Sequence, residues 1–180
     1  MVIFIGGATH TGKTLLAQKI LEEKKIPYLS LDHLKMGLIR SGQTSLTPMD
    51  DELLTDYLWP IVREMAKTAI ENGQNLIVEG CYIPGPWSED FPESYLDHIR
   101  CRFLVMTEGY IRTHFEDIRR HACAIEQRLD DSGLEMEKLI RENRSVRESC
   151  KEEDILLLED AYRIDLNKFF PKETKAGDPL

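Results

Sequence analysis

The stretch Gly7-Ala8-Thr9-His10-Thr11-Gly12-Lys13-Thr14 constrains this chain more than any other, because it fits G-x-x-x-x-G-K-[ST] between two segments of different periodicity. Before it, Met1 to Ile5 is an apolar, β-branched run short enough for a buried strand. After it, Leu15, Leu16, Ile20 and Leu21 recur at helical spacing. A strand that breaks into such a loop and passes at once into a helix aims successive backbone N–H groups at one centre. The positive end of the helix faces the same centre. Glycine at Gly7 and Gly12 permits positive φ and close approach of the main chain to phosphate oxygens. The loop from Gly7 through Ala8, Thr9, His10, Thr11 and Gly12 to Thr14 therefore reads as a polyphosphate cradle. Lys13 reaches the β and γ phosphates, and the Thr14 hydroxyl is placed for Mg²⁺. His10 reads as a pocket-lining residue and not as a base.

The rest of the chain alternates strand and helix, which favours a parallel α/β sheet with ligands at the carboxyl ends of its strands. Ile26 to Leu31 reads as the second strand and Leu34 to Arg40 as a helix, with Asp32 between them as N-cap and as candidate active-site carboxylate. Thr47 reads as the N-cap of a long helix, with Pro48 at its first position and Gly73 ending it. Its apolar pairs recur every four residues, a drift of about 40° per repeat, so the helix wraps across its neighbour or Pro60 resets the phase. Asn75 to Gly80 is an apolar strand closing on Glu79, a candidate metal-water ligand or substrate contact as well as a candidate capping acid. Cys81 to Pro92 reads as an ordered loop near the pocket mouth, with Trp87 exposed. A short helix over Ser94 to Ile99 and a strand over Cys101 to Met106 follow. From Glu108 the chain reads as two arginine-bearing helices joined by the polar Asp130–Gly133 turn, a lid over triphosphate in which one to three arginines touch phosphate. Asp154 to Leu158 is the expected last strand, Ala161 to Phe170 a closing helix ended by Pro171, and the segment beyond Lys172 a frayed tail.

A chain of 180 residues has the length of one domain, and its 23 basic against 32 acidic side chains give a formal charge of −9. That balance argues against a nucleic-acid or anionic-membrane surface, and it permits a small cationic pocket inside an acidic shell. Cys81, Cys101, Cys123 and Cys150 form no C-x-x-C pair and fit reduced thiols in a cytoplasmic protein. The chain enters strand and loop directly without a signal peptide, and no run approaches the ~18–20 apolar residues of a membrane span. His114 and His121 share a helical face but have no partner at ligand spacing. Asp130-x-x-Gly133 follows no apolar strand and N-K-x-D is absent, which removes a GTPase. An ATPase motor would carry an apolar run ending in Asp-Glu, whereas here it ends Glu79-Gly80.

The segments GGATHTGKT, YLSLDHL and LIVEGCYIP resemble the small-molecule P-loop kinases, in the branch that holds 2-phosphoglycerate kinase, zeta-toxin-type kinases, chloramphenicol phosphotransferase and nucleoside kinases. The resemblance is specific over Met1 to Pro84 and looser beyond it. It implies an α/β, three-layer P-loop NTPase fold with a five-stranded parallel sheet of order 2-3-1-4-5, helices on both faces and a helical lid. The domain would cover 1–172, with the lid over roughly 108–149 and a tail at 173–180. The resemblance also implies ATP and Mg²⁺ as cofactors and a small-molecule phosphoryl acceptor as partner. Residue by residue, Lys13 matches the phosphate lysine, Thr14 the magnesium hydroxyl, and Asp32 the acid that takes the acceptor proton. Glu79 matches an acid near magnesium or acceptor. Arg119, Arg120 and Arg128 fall in the lid, the first two as nucleotide contacts and Arg128 as a catalytic cation. The arginine signature of adenylate kinases is not evident. The expected function is transfer of the γ-phosphate of ATP to a small-molecule hydroxyl or phosphate. The alternatives are a non-catalytic nucleotide-binding interaction module, or a toxin-type kinase of a nucleotide-sugar; the acids Asp32 and Glu79 at strand ends favour an enzyme.

Overall fold

Every residue of the first strand, β1 (Val2–Gly7), is buried. A strand covered on both faces has no polar side to show, which is why it reads as an unbroken apolar run. Successive side chains point to opposite faces, so Val2 and Phe4 enter one core while Ile3 and Ile5 enter the other. The remaining strands are β2 (Tyr28–Ser30), β3 (Leu76–Glu79), β4 (Ile99–Met106) and β5 (Ile155–Leu158). In this computed structural model, which describes residues 1–121 and 134–170, they form one five-stranded parallel sheet of order β2-β3-β1-β4-β5. The register aligns Phe4 with Val78 on one side and Cys101 on the other.

Helices cover both faces. On the Ile3/Ile5 face lie α1 (Lys13–Lys24) and the Tyr110, Ile111, Leu139 and Ile140 side chains of α5 (Glu108–His121) and α6 (Met136–Ser149). On the Phe4 face lie α2 (Leu31–Arg40), α3 (Asp51–Glu71) and the short α4 (Glu93–Leu96). α3 runs through Pro60, and its buried residues are Leu54, Leu58, Val62, Ala66 and Ala69 with Trp59 alongside. The final step of three residues corrects the drift that steps of four accumulate, while Pro60 sits on the exposed side.

Four expectations are corrected. Trp87 is 7% exposed, not a mouth residue. Its ring lies 5.9 Å from Phe4, within a cluster that includes Trp59 and Phe91. Its indole N–H donates to Asp154 Oδ2 at 2.9 Å, so the polar edge is satisfied inside the core. α3 starts later than expected, with Asp50 as N-cap. The Asp50 carboxylate turns back to accept from the Thr47 amide at 2.7 Å and the Thr47 hydroxyl at 2.8 Å. These bonds hold Asp50 below the usual carboxylate range. α2 starts earlier, with Ser30 as N-cap, so Asp32 lies inside the first turn and caps nothing. No closing helix forms over Ala161 to Phe170; a single 3-10 turn covers Leu166–Lys168. There the Asp165 side chain accepts from the Asn167 amide at 2.9 Å, a local bond that competes with helix.

β1 also fixes how the loop leaves the sheet. A Cβ added at Gly7 would stand 2.4 Å from the Leu104 carbonyl oxygen of β4, and φ there is +130°. Both obstacles are backbone, so Gly7→Ala is expected to cost about 3 kcal/mol, a fall in Tm of roughly 6–12 °C. A melting curve within about 2 °C of the parent would contradict that close approach.

Candidate active site

The phosphate loop bridges β1 and α1 with left-handed backbone at His10 (φ 60°) and Gly12 (φ 81°). α1 opens at Lys13 with no side-chain cap on its N-terminus and no acid in its first turn. Its first amides are therefore left for an anion, with no acid within that turn to repel one. Within the loop the Thr11 hydroxyl and the Lys13 ammonium both donate to the Ala8 carbonyl, at 3.0 and 2.6 Å. Thr11 is buried beneath the loop and Lys13 is 7% exposed. Thr9 Oγ1 and His10 Nδ1 lie 2.9 Å apart, which shapes the outer rim.

Residues from distant parts of the chain complete the loop. The Thr14 hydroxyl donates to Glu79 Oε1 at 3.3 Å, across 65 residues of sequence. Glu79 ends β3 and is 2% exposed. Its register neighbour Ser30 is buried with a hydroxyl oxygen that has no partner among the described residues. A hydroxyl and a carboxylate beside a phosphate cradle are oxygen donors of the kind Mg²⁺ takes while keeping several waters. No group of three or more His, Cys, Asp or Glu among the described residues is placed to hold a metal alone. The donor set thus fits an ion shared with phosphates, held by Thr14 and Glu79. From the other side the Tyr162 hydroxyl donates to the Gly12 carbonyl at 2.7 Å. Burial pushes that phenol's pKa up, which keeps it a donor. Tyr162 lies in the stretch expected as a closing helix, so nothing in its spacing pointed to the loop.

A cleft of ≈ 1070 Å³ takes in the phosphate loop, Asp32 and Glu79, enough for a nucleotide and a small second molecule together. Its far wall is built by α2 and the start of α3. There Lys35 Nζ donates to Asp32 Oδ1 at 2.6 Å and to the Tyr82 hydroxyl at 2.9 Å. Tyr82 in turn donates to Asp51 Oδ1 at 2.9 Å. α6 supplies the opposite wall through Lys138, Leu139 and Glu142. It is pinned to the sheet by buried Asn143, whose Oδ1 accepts from the Met106 amide at 2.8 Å. Arg112 of α5 pairs with Glu108 of its own helix and with Glu137 of α6, each at 2.9 Å, and the second pair ties the two helices.

Of the lysines that line this cleft, the sequence singles out Lys13 but not Lys35 or Lys138. Arg119 pairs with Glu116 at 3.7 Å and Arg120 with Asp117 at 3.2 Å, all exposed and outside the cleft lining. Arg128 lies outside the described residues. Lys35 had a readable signal, since it stands three residues after Asp32 on one helical face. Glu142 had none. Burial, with Asp51 on the α3 wall adding to it and Lys138 opposing, holds its carboxyl above the usual range. A carboxyl whose pKa is higher folded than unfolded carries more protons in the folded state, so its ionisation works against folding as pH rises past the unfolded value. Glu142→Gln is therefore expected to raise Tm at pH 7 and to leave it nearly unchanged near pH 4. Losing the 3.8 Å contact with Lys138 costs little, because that pair is partly solvated. Melts at the two pH values decide it; a variant that is destabilised only at pH 7 would reverse the sign.

No family model matches the sequence, and no curated protein matches it. Solved structures do. A gluconokinase from Sinorhizobium meliloti 1021 superposes with a TM-score of 0.50 at 15% identity, over 90% of this chain and 83% of that one. A shikimate kinase from Bacteroides thetaiotaomicron gives a TM-score of 0.50 at 18% identity, over 82% of this chain and 78% of that one. At such identities the likeness establishes the fold, which is the P-loop NTPase fold found in small-molecule kinases.

Proposed function

We propose that this chain, which shares its fold with the P-loop small-molecule kinases, is an ATP-dependent phosphotransferase acting on a hydroxyl of a small molecule. The observation that supports it best is the continuity of one cleft, from an uncapped helix N-terminus at Lys13 to a chamber holding Asp32. A module that only sensed nucleotide would need the first and not the second. The named relatives, a gluconokinase and a shikimate kinase, are kinases of small hydroxyl compounds, and their names support the same class here.

In this reading the loop amides and Lys13 grip the β and γ phosphates, and Lys13 exchanges the Ala8 carbonyl for phosphate oxygen. Thr14 and Glu79 would hold Mg²⁺, which supplies neutralisation of the phosphate charge. Asp32 accepts the proton of the acceptor hydroxyl as that oxygen bonds to the γ-phosphorus and the bond to the ADP oxygen breaks. Lys35 keeps the Asp32 carboxylate in place, and Lys138 is a further cation on the cleft wall. The acidic surface and the free thiols at Cys81, Cys101 and Cys150 accord with a cytoplasmic enzyme working without nucleic acid or membrane. No helix among the described residues is long and apolar enough to cross a membrane.

A metabolite panel with γ-labelled ATP tests the activity. Label is expected in a hydroxyl compound and only when Mg²⁺ is present. If ATP and Mg²⁺ at millimolar concentration neither release heat nor raise Tm, the reading fails at its first step.

A further inference from the structure

Tyr162 lies outside the cleft lining and yet touches the phosphate loop at the residue before Lys13. That residue, Gly12, has left-handed backbone with φ 81°. A glycine enters such a conformation readily and leaves it as readily. Its carbonyl accepts from the Leu16 amide at 3.0 Å, a bond within the first turn of α1, and from the Tyr162 hydroxyl at 2.7 Å. A carbonyl oxygen has two lone pairs, so these two bonds match its capacity. The tyrosine ring takes part as well. A Cβ added at Gly12 would stand 2.6 Å from Tyr162 Cε2, so the ring lies against the glycine with no room for a side chain between them.

Tyr162 is itself held on both sides. It follows β5, whose last carbonyl, that of Leu158, accepts from the Thr107 amide at 3.0 Å. The Asp160 carbonyl oxygen lies 3.1 Å from His114 Nε2 of α5. The His114 ring stands edge-on to Tyr110, with centroids 4.6 Å apart. Beyond Tyr162, Leu166 and Phe169 are buried in the core against which it packs. A hydroxyl carried on a segment anchored in this way needs little further ordering to make its bond.

We propose that Tyr162 is a positioning residue of the phosphate loop, which holds the Gly12 carbonyl and thereby aims the Lys13 amide at the bound polyphosphate. The Gly12 carbonyl and the Lys13 N–H belong to one planar trans peptide and point in opposite directions, so fixing one fixes the other. A bond accepted by the carbonyl also polarises the N–H and makes it a better donor. The inference rests on the phosphotransferase reading above for its polyphosphate and on nothing about the acceptor.

Tyr162→Phe tests it in the full chain, because phenylalanine keeps the ring against Gly12 and the Leu16 bond keeps the start of α1. The variant is expected to melt within a few degrees of the parent. With Mg²⁺ present, calorimetry should show binding of the non-hydrolysable nucleotide AMP-PCP and of inorganic tripolyphosphate weakened alike, by about three- to tenfold, the scale of one hydrogen bond. Tripolyphosphate has neither base nor ribose, so its loss reports the loop itself. In the nucleotide-free protein the amide nitrogen resonance of Lys13 should move, while those of β1 stay in place. The proposal is overturned if the variant binds both probes as the parent does, if the loss is confined to AMP-PCP, or if the Lys13 resonance is unmoved. A parent that binds neither probe strikes the phosphotransferase reading and this inference with it, whereas a parent that binds both and a variant that equals it strike this inference alone.

Discussion

Lys13→Met is expected to lower kcat by about 10³-fold, the scale seen when one preorganised donor to a developing negative charge is lost, while the protein stays folded. Two features of the loop argue for this split. The Lys13 ammonium is nearly buried, and among the described residues it donates to the Ala8 carbonyl at 2.6 Å. A triphosphate offers a charge so placed a far stronger partner than a neutral carbonyl. The Ala8 carbonyl, for its part, does not depend on Lys13, because the Thr11 hydroxyl also donates to it at 3.0 Å. Methionine fills much the same space without charge, so the variant leaves no orphaned acceptor and no large cavity. Its melting temperature in the absence of nucleotide should lie within a few degrees of the parent. Transfer measured with labelled ATP should fall to background, and stabilisation by ATP and Mg²⁺ should shrink. A kcat within a factor of about ten of the parent would remove Lys13 from the chemistry.

The parts of this site that could be read from sequence are those whose chemistry is local. The cradle is one continuous segment between a strand and a helix, and its residues act through their own backbone. Asp32 and Glu79 were legible because apolar runs end on them and strand ends gather ligands. The sheet order came from the family resemblance and not from any residue pattern. What escaped depends on partners distant in sequence. Trp87 sits in a proline-rich stretch that looks like surface, and its contacts with Phe4, Phe91 and Asp154 put it inside. Tyr162 needs Gly12, 150 residues away, to show its role. The arginines of α5 show the reverse case, in which the local signal was present: most of the arginines beyond Glu108 read as solvated partners of nearby Glu and Asp. Glu116 and Asp117 stand three residues before Arg119 and Arg120, the spacing at which opposite charges meet on a helix.

Asp32→Asn is expected to leave ATP binding intact and to cut transfer by about 10²–10⁴-fold, the range associated with a positioned general base. The substitution is informative because of Lys35. In the parent, Lys35 Nζ donates to Asp32 Oδ1 at 2.6 Å and is only 12% exposed, whereas the Asp32 side chain is 42% exposed and lines the cleft. An asparagine carbonyl can still accept that bond, so the side chain should keep its place and α2 its start. What asparagine cannot do is take a proton from the acceptor hydroxyl. If Asp32 served only to anchor Lys35, the asparagine variant would turn over nearly as well as the parent and the alanine variant would not. If Asp32 is the base, both variants lose transfer alike, and slow ATP hydrolysis by water continues in each because the phosphate loop is untouched. Comparing Asp32→Asn with Asp32→Ala in single-turnover transfer, alongside ATP affinity, separates the two roles. Full turnover by Asp32→Asn would move the proton acceptor elsewhere in the cleft, where the other carboxylates among the described residues are Glu79, Asp51, Glu52 and Glu142.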